Sequence, residues 1–278
     1  MGCVPASFCD SACANPARTM AGDIVLLLHG SAGSGALWRR AAQALGPLYC
    51  CLTPDLIGYG KSAPWPKGVE LTLGDESNAL KPLLACCAET YHLVGYSYGG
   101  VVALQMALAD PRRIRTLTLI EPVFFNALRY TGETDAFLQF AQLSATYEMA
   151  LQSDNAESAL RPFIDFWTGS RSWDRLPSAT RAEMLKAADK IALDWRASFT
   201  FQPSRQQLAM LGSRTLLIRG TQSPGPMLQL VDALHALIPG SMRTVIDGAS
   251  HLLPLTHGDT MTSTILSHLH AEAEGRLP

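Results

Sequence analysis

Five consecutive residues, Gly95-Tyr96-Ser97-Tyr98-Gly99, set a hydroxyl nucleophile between two glycines, each two positions away. A serine held in a sharp, strained turn between a strand and a helix needs that spacing, because side chains at the flanking positions would collide with neighbouring backbone. The preceding Tyr91-His92-Leu93-Val94 is short and apolar, as a buried strand would be, and the helical pattern over 99–109 is stopped by Pro111. Ser97 is therefore expected at a helix N-terminus, where unpaired N–H groups and the helix dipole favour negative charge. The alternative is an ordinary strand-to-helix turn. The strand before and the helix after it favour the nucleophile elbow.

A serine hydroxyl is barely ionised near neutral pH and needs a base to take its proton. Histidine suits best, since its ordinary pKa lies close to neutrality. Seven histidines are candidates. His29 follows the first strand pattern and His92 lies in the strand before the elbow. His235 falls in a helical pattern, and His268 and His270 are near the C-terminal end. His251 follows the last strand pattern in the loop Gly248-Ala249-Ser250-His251, from which an imidazole can reach back over the C-terminal edge of a sheet. His257, six residues later, is the competitor, and it reads more readily as a polar residue opening the last helix.

The elements that must position these groups follow from the apolar pattern. Runs at 24–28, 48–52, 92–94, 117–120, 215–218 and 244–246 read as six parallel strands, each too apolar for a sheet with one wet face. Helical patterns fall between them, which argues for an α/β fold, a mostly parallel central sheet flanked by helices on both faces. The alternation breaks between about 124 and 210, where helical periodicity dominates. The expected organisation is a tail at 1–20, a core at 21–123 and 211–278, and an inserted all-helical lid at 124–210.

With 22 basic and 24 acidic residues among 278, the composition has no bias toward nucleic acid or an anionic surface. Although 47% of residues are hydrophobic, no apolar run approaches the ~20 residues of a membrane-spanning helix. Seven cysteines, two pairs of them adjacent at Cys50-Cys51 and Cys86-Cys87, suit reduced thiols in a cytoplasmic protein better than a disulfide framework. Residues 1–20 carry Cys3, Cys9 and Cys13 among small polar residues and lack the basic start and apolar core of a secretion signal. The start Met1-Gly2 hints at myristoylation, but Ala6 stands where that motif wants serine or threonine. The segment reads as a disordered tail, with Met20 an alternative start just before the first strand.

Four motifs in order resemble the α/β-hydrolase superfamily, over about residues 22–270. These are His29-Gly30-Ser31-Ala32-Gly33, Asp55-Leu56-Ile57-Gly58-Tyr59-Gly60-Lys61-Ser62, the elbow, and Gly248-Ala249-Ser250-His251. The resemblance implies an oxyanion hole formed by the backbone N–H groups of Ser31 and Tyr98. It leaves Asp55 as a brace for loops. A phosphate loop is not a credible rival, since Ala36 stands at the lysine position after Gly30 and Gly35, and Asp55 replaces the first glycine before Gly60-Lys61-Ser62. No cofactor or metal is called for.

The third catalytic member departs from the common pattern. In most of these hydrolases an aspartate follows the strand that is here 215–218, but Thr221-Gln222-Ser223-Pro224-Gly225-Pro226 holds no carboxylate, and Asp232 lies within a helix. Some relatives, the haloalkane dehalogenases among them, place the acid after the preceding strand, where Glu121 stands. Glu121 is the expected acid and Asp247 the fallback. A strand-end ion pair is the structural alternative for Glu121.

Eight of the nine phenylalanines, with Trp167, Trp173 and Trp195, lie between 124 and 201. They suit either a pocket for an apolar or aromatic group or the lid's own core. Arg129, Arg161, Arg171 and Arg175 could meet a substrate carboxylate but are equally ordinary helix-surface residues. The expectation is a serine hydrolase, carboxylesterase-like, that cleaves an ester or related acyl bond of a small molecule through an acyl-enzyme. The same fold hosts C–C bond hydrolases, lactonases, perhydrolases and non-catalytic ligand receptors, which remain open, as does the oligomeric state.

Overall fold

The computed structural model describes residues 23–85, 89–153 and 155–275. The expected tail at 1–20 and the pair Cys86-Cys87 lie outside the described residues. All six apolar runs are strands, with ends shifted by at most three residues: β1 (Asp23–Leu28), β2 (Tyr49–Leu52), β3 (Tyr91–Tyr96), β4 (Ile114–Ile120), β5 (Thr215–Gly220) and β6 (Met242–Ile246). They form one sheet in the order β2-β1-β3-β4-β5-β6, with every neighbouring pair parallel.

Parallel neighbours require crossovers, and helices supply them. The first three are α1 (Arg39–Leu45), α2 (Leu73–Ala85) and α3 (Tyr98–Ala109). Between β4 and β5 the chain makes an all-helical excursion: α4 (Asn126–Thr131), α5 (Thr134–Gln152), α6 (Ala156–Thr168), α7 (Ser172–Arg175), α8 (Ser178–Lys186), α9 (Ala188–Thr200) and α10 (Arg205–Ala209). The core resumes with α11 (Gly225–Leu237) before β6, and α12 (Leu253–Thr256) and α13 (Gly258–Ala273) after it.

Alternation along the strands divides the interior into two layers. Ile24, Leu26 and Leu28 of β1 join a core with α2, α3, α11 and the helical insertion, whereas Val25 and Leu27 join one with α1 and α13. Helix α3 packs on the sheet and under the insertion, and nine of its residues are buried. At roughly 1.5–3 kcal/mol for each large apolar side chain removed from water, that burial anchors the helix behind the elbow, and a charge at Leu104 would undo it. One expectation fails at the sheet edge. Arg243 and Val245 of β6 face solvent, because only one face of this last strand is covered.

Strand order reverses at β1, so the loops after β1 and β3 diverge and open a crevice at the C-terminal edge of the sheet. The register pairs Leu28 with Gly95, Tyr96 with Ile120, Ile120 with Ile218 and Gly220 with Ile246. The loops beginning at His29, Ser97, Glu121, Thr221 and Asp247 therefore leave the sheet along one rim.

Candidate active site

Ser97 links β3 to α3 with φ 54° and ψ −118°, a conformation that costs a non-glycine residue about 1–3 kcal/mol. The backbone on both sides holds it there: its N–H donates to the Ile120 carbonyl at 2.9 Å, and its carbonyl accepts from the Val123 N–H at 3.3 Å. A Cβ on Gly95 would lie 2.3 Å from the Gly99 carbonyl oxygen, and one on Gly99 would lie 2.4 Å from the His29 carbonyl oxygen. Both obstacles are backbone and neither can yield. Glycine at these positions is what lets the turn close.

The structure brings together the three side chains singled out above. His251 Nδ1 lies 2.7 Å from Glu121 Oε2, and Nε2 lies 3.2 Å from Ser97 Oγ. A carboxylate can only accept, so the imidazole proton belongs on Nδ1, and Nε2 is left free to take a proton from the serine hydroxyl. Ser97, His251 and Glu121 are 9%, 5% and 0% exposed. Tyr96 donates its phenol hydrogen to the His251 carbonyl at 2.7 Å, which fixes the histidine loop over the strand that precedes the nucleophile.

Glu121 follows β4 with a left-handed φ of 42°, and its N–H donates to the Ile218 carbonyl at 3.0 Å. Its second oxygen accepts from the Gly220 N–H at 2.8 Å and the Ser223 hydroxyl at 2.5 Å. The last residue of β5 and the loop that lacks a carboxylate thus supply one donor each to the carboxylate on the neighbouring strand. Ser223 carried no signal in the sequence beyond its place in that loop. The other two acids lie elsewhere. Asp247 is exposed and accepts from Thr221 at 3.1 Å, and Asp232 bridges Arg219 and Arg243.

The loop after β1 runs directly beside the nucleophile, since a Cβ on Gly30 would lie 2.9 Å from that of Ser97. His29 accepts the Leu56 N–H on Nε2 at 3.0 Å and donates from Nδ1 to the Gly30 carbonyl at 2.7 Å. Burial lowers its pKa to about 4, so it is a neutral brace near pH 7. Asp55 accepts from the N–H groups of Gly35 at 2.7 Å and Lys61 at 2.8 Å, tying two loops together as expected. Tyr98 opens α3, so its N–H is among those without an intrahelical partner. The remaining histidines sit outside the site: His257 precedes α13, His235 bonds Ser241, and His92 bonds Thr116.

The aromatic side chains of the insertion pack chiefly on one another. Phe125, Phe140, Phe163, Trp167, Trp195 and Phe199 form a continuous set with ring centroids 4.4–6.4 Å apart. Trp167 also stacks on the His251 imidazole, at 4.1 Å between centroids and 27° between planes. That contact was not readable from helical periodicity, which gives a face but not what the face meets. The arginines named above make mainly local contacts: Arg129 bonds Asn126, Arg161 pairs with Glu157 and Asp174, and Arg175 bonds Ser170 and Ser172.

Comparison with known proteins finds relatives of this chain. The alpha/beta hydrolase fold family matches residues 23–258. Lipase LipV of Mycobacterium tuberculosis is 35% identical over 88% of this chain and 92% of its own length. A pimeloyl-[acyl-carrier protein] methyl ester esterase of Aliivibrio fischeri is 25% identical over 91% of this chain and 95% of its own. The chain spans 63% of the dihydrolipoyllysine-residue acetyltransferase component of the acetoin cleaving system of Cupriavidus necator, at 28% identity over 89% of the chain. A hydrolase from Pseudomonas aeruginosa superposes with a TM-score of 0.72 at 23% identity, covering 89% of this chain and 90% of that one. No described helix is long and apolar enough to cross a membrane.

Proposed function

The chain belongs to the alpha/beta hydrolase fold family, and from that premise we propose that it is a serine hydrolase acting on an ester or related acyl bond of a small, apolar or aromatic substrate. The relatives named as a lipase and a methyl ester esterase support a hydrolase. The observation that carries the finer reading is the unbroken relay from Ser97 through His251 to Glu121.

In the first step Ser97 Oγ attacks the acyl carbon while His251 Nε2 takes its proton, and the carbonyl π pair moves onto oxygen. The Nδ1–H bond to Glu121 orients the ring and stabilises the imidazolium. The backbone N–H groups of Ser31 and Tyr98 meet the new oxyanion. Collapse of the intermediate expels the alkoxide, which takes the proton from His251. Water then attacks the acyl-enzyme with the same histidine as base, which releases the acid and restores Ser97.

In this reading the helices over 126–209 act as a lid. The aromatic set around Trp167 gives it an apolar inner surface that ends on the histidine ring, which favours an apolar acyl or alcohol group. The test is turnover of p-nitrophenyl esters of increasing chain length beside Ser97→Ala. Turnover with a chain-length preference, lost in Ser97→Ala, is expected. Equal turnover by both proteins would refute the serine mechanism.

A further inference from the structure

Both residues whose N–H groups are assigned to the oxyanion send their side chains into one buried ionic cluster. Ser31 donates its hydroxyl to Asp194 Oδ2 at 2.6 Å, and Tyr98 donates its phenol to Glu76 Oε1 at 3.4 Å. Lys190 joins the two carboxylates, bonding Glu76 Oε1 at 2.9 Å and Asp194 Oδ1. Its ammonium group also lies 4.7 Å from the Tyr59 ring centroid and 4.8 Å from that of Tyr98. The core of the cluster is dry: Asp194 is 0%, Glu76 1% and Lys190 6% exposed.

Lys190 and Asp194 sit one turn apart on α9, in the insertion, whereas every other member belongs to the core. The cluster therefore fastens the insertion to the two walls of the oxyanion site. The Tyr59 hydroxyl donates to the same Asp194 Oδ2 at 2.5 Å, so one carboxylate oxygen ties the Ser31 side chain to a second core residue. Ala32 has a left-handed φ of 57°, a strained conformation that such tethers can maintain. Apolar packing would hold a helix to a core as well as an ion pair does, and often better. It could not fix the direction of the Ser31 hydroxyl, and through it the Ser31 backbone.

We propose that Asp194, steadied by Lys190, is a positioning residue that aims the Ser31 N–H at the oxyanion by holding the Ser31 side chain. This rests on the serine-hydrolase reading. Oxyanion donors act over a few tenths of an ångström, so a loop freed to shift loses transition-state stabilisation while ground-state binding persists. Burial with one cation for two carboxylates raises the pKa of both Asp194 and Glu76, although Lys190 opposes it in each. The same two acids keep Lys190 above its ordinary value against the cost of burial.

Ser31→Ala removes the hydroxyl and leaves the N–H, and Asp194→Asn keeps the shape and removes the charge. The readouts are kcat and KM on a p-nitrophenyl ester, the inhibition constant of a trifluoromethyl ketone, which adds to a serine as an oxyanion, and the melting temperature. Ser31→Ala is expected to lower kcat about tenfold with KM within about twofold, and to weaken the ketone by a similar factor. Its melting temperature should stay within a few degrees of wild type. In an Asp194→Asn background the same change should have a smaller effect, since the two act as a unit. Unchanged kcat and ketone affinity in Ser31→Ala, or a rise in KM alone, would overturn the proposal. If wild-type turnover survives Ser97→Ala, the serine-hydrolase reading fails and takes this inference with it.

Discussion

Glu121 on one side, and Glu76 with Asp194 on the other, are buried carboxylates whose supports are built differently. Glu121 takes its partners from the same rim of the sheet: Gly220 at the end of β5, Ser223 after β5, and His251 after β6. Glu76 and Asp194 are joined by a lysine from the helical insertion, so their partners depend on how α9 docks. The first arrangement follows from strand order and register alone. The second depends on the packing of the insertion against the core. The proposed proton relay is thus placed by the sheet, and the ionic cluster couples the sheet side of the site to the helical insertion.

The largest expected effect separates the relay carboxylate from the other acids at the same rim. Glu121→Gln should lower kcat by roughly 10³–10⁴, since an amide in that place no longer holds the imidazole in the right tautomer. Asp247→Asn, at an exposed acid, should stay within about twofold of wild type. Steady-state kinetics on one ester decides it, and equal losses in the two variants would erase the distinction between them.

Next comes the cluster. Lys190→Met leaves two carboxylates buried without their cation, and breaking such a pair costs roughly 3–5 kcal/mol. Denaturant unfolding should show this loss. A neutral result would mean that the insertion is held by apolar packing alone.

A smaller effect concerns His29, His92 and His268, which lie outside the candidate relay and bond carbonyl, amide or hydroxyl groups. Burial lowers the pKa of each of these three to about 4 in the folded protein from 6.5. The unfolded chain then binds more protons between these values, so stability falls as pH drops from 6.5 toward 4, by about 2 kcal/mol per histidine at pH 5. His92→Gln should flatten that slope in unfolding experiments at a series of pH values, and an unchanged slope would count against burial as its cause.

The smallest effect probes the support of Glu121. Ser223→Ala removes one donor and leaves the Gly220 N–H, so kcat should fall about tenfold. A loss as large as that of Glu121→Gln would make Ser223 part of the relay rather than its support.

How much of this was legible in the sequence follows the same division. Ser97, His251 and Glu121 stand at or just beyond strand ends, and short continuous apolar runs separated by helical patterns fix where strands end and which rim their loops share. The half-open face of β6 was not visible, since Thr244, Val245 and Ile246 read alike whether the strand is central or at the edge. Lys190 and Asp194 lie four residues apart on a helix, a spacing that ordinarily marks a solvated surface pair. Only docking against Tyr59, Tyr98 and Glu76 makes them a buried anchor. Trp167 likewise reads as one aromatic among many until its ring is found on the imidazole of His251.

The most direct measurement of the central claim is covalent labelling by a fluorophosphonate, located by peptide mass spectrometry in wild type, Ser97→Ala and Glu121→Gln. An activated serine should take up one label per chain on the peptide containing Ser97, lose it in Ser97→Ala, and acquire it far more slowly in Glu121→Gln. Labelling at another serine, or an equal rate in wild type and Glu121→Gln, would contradict a nucleophile served by His251 and Glu121.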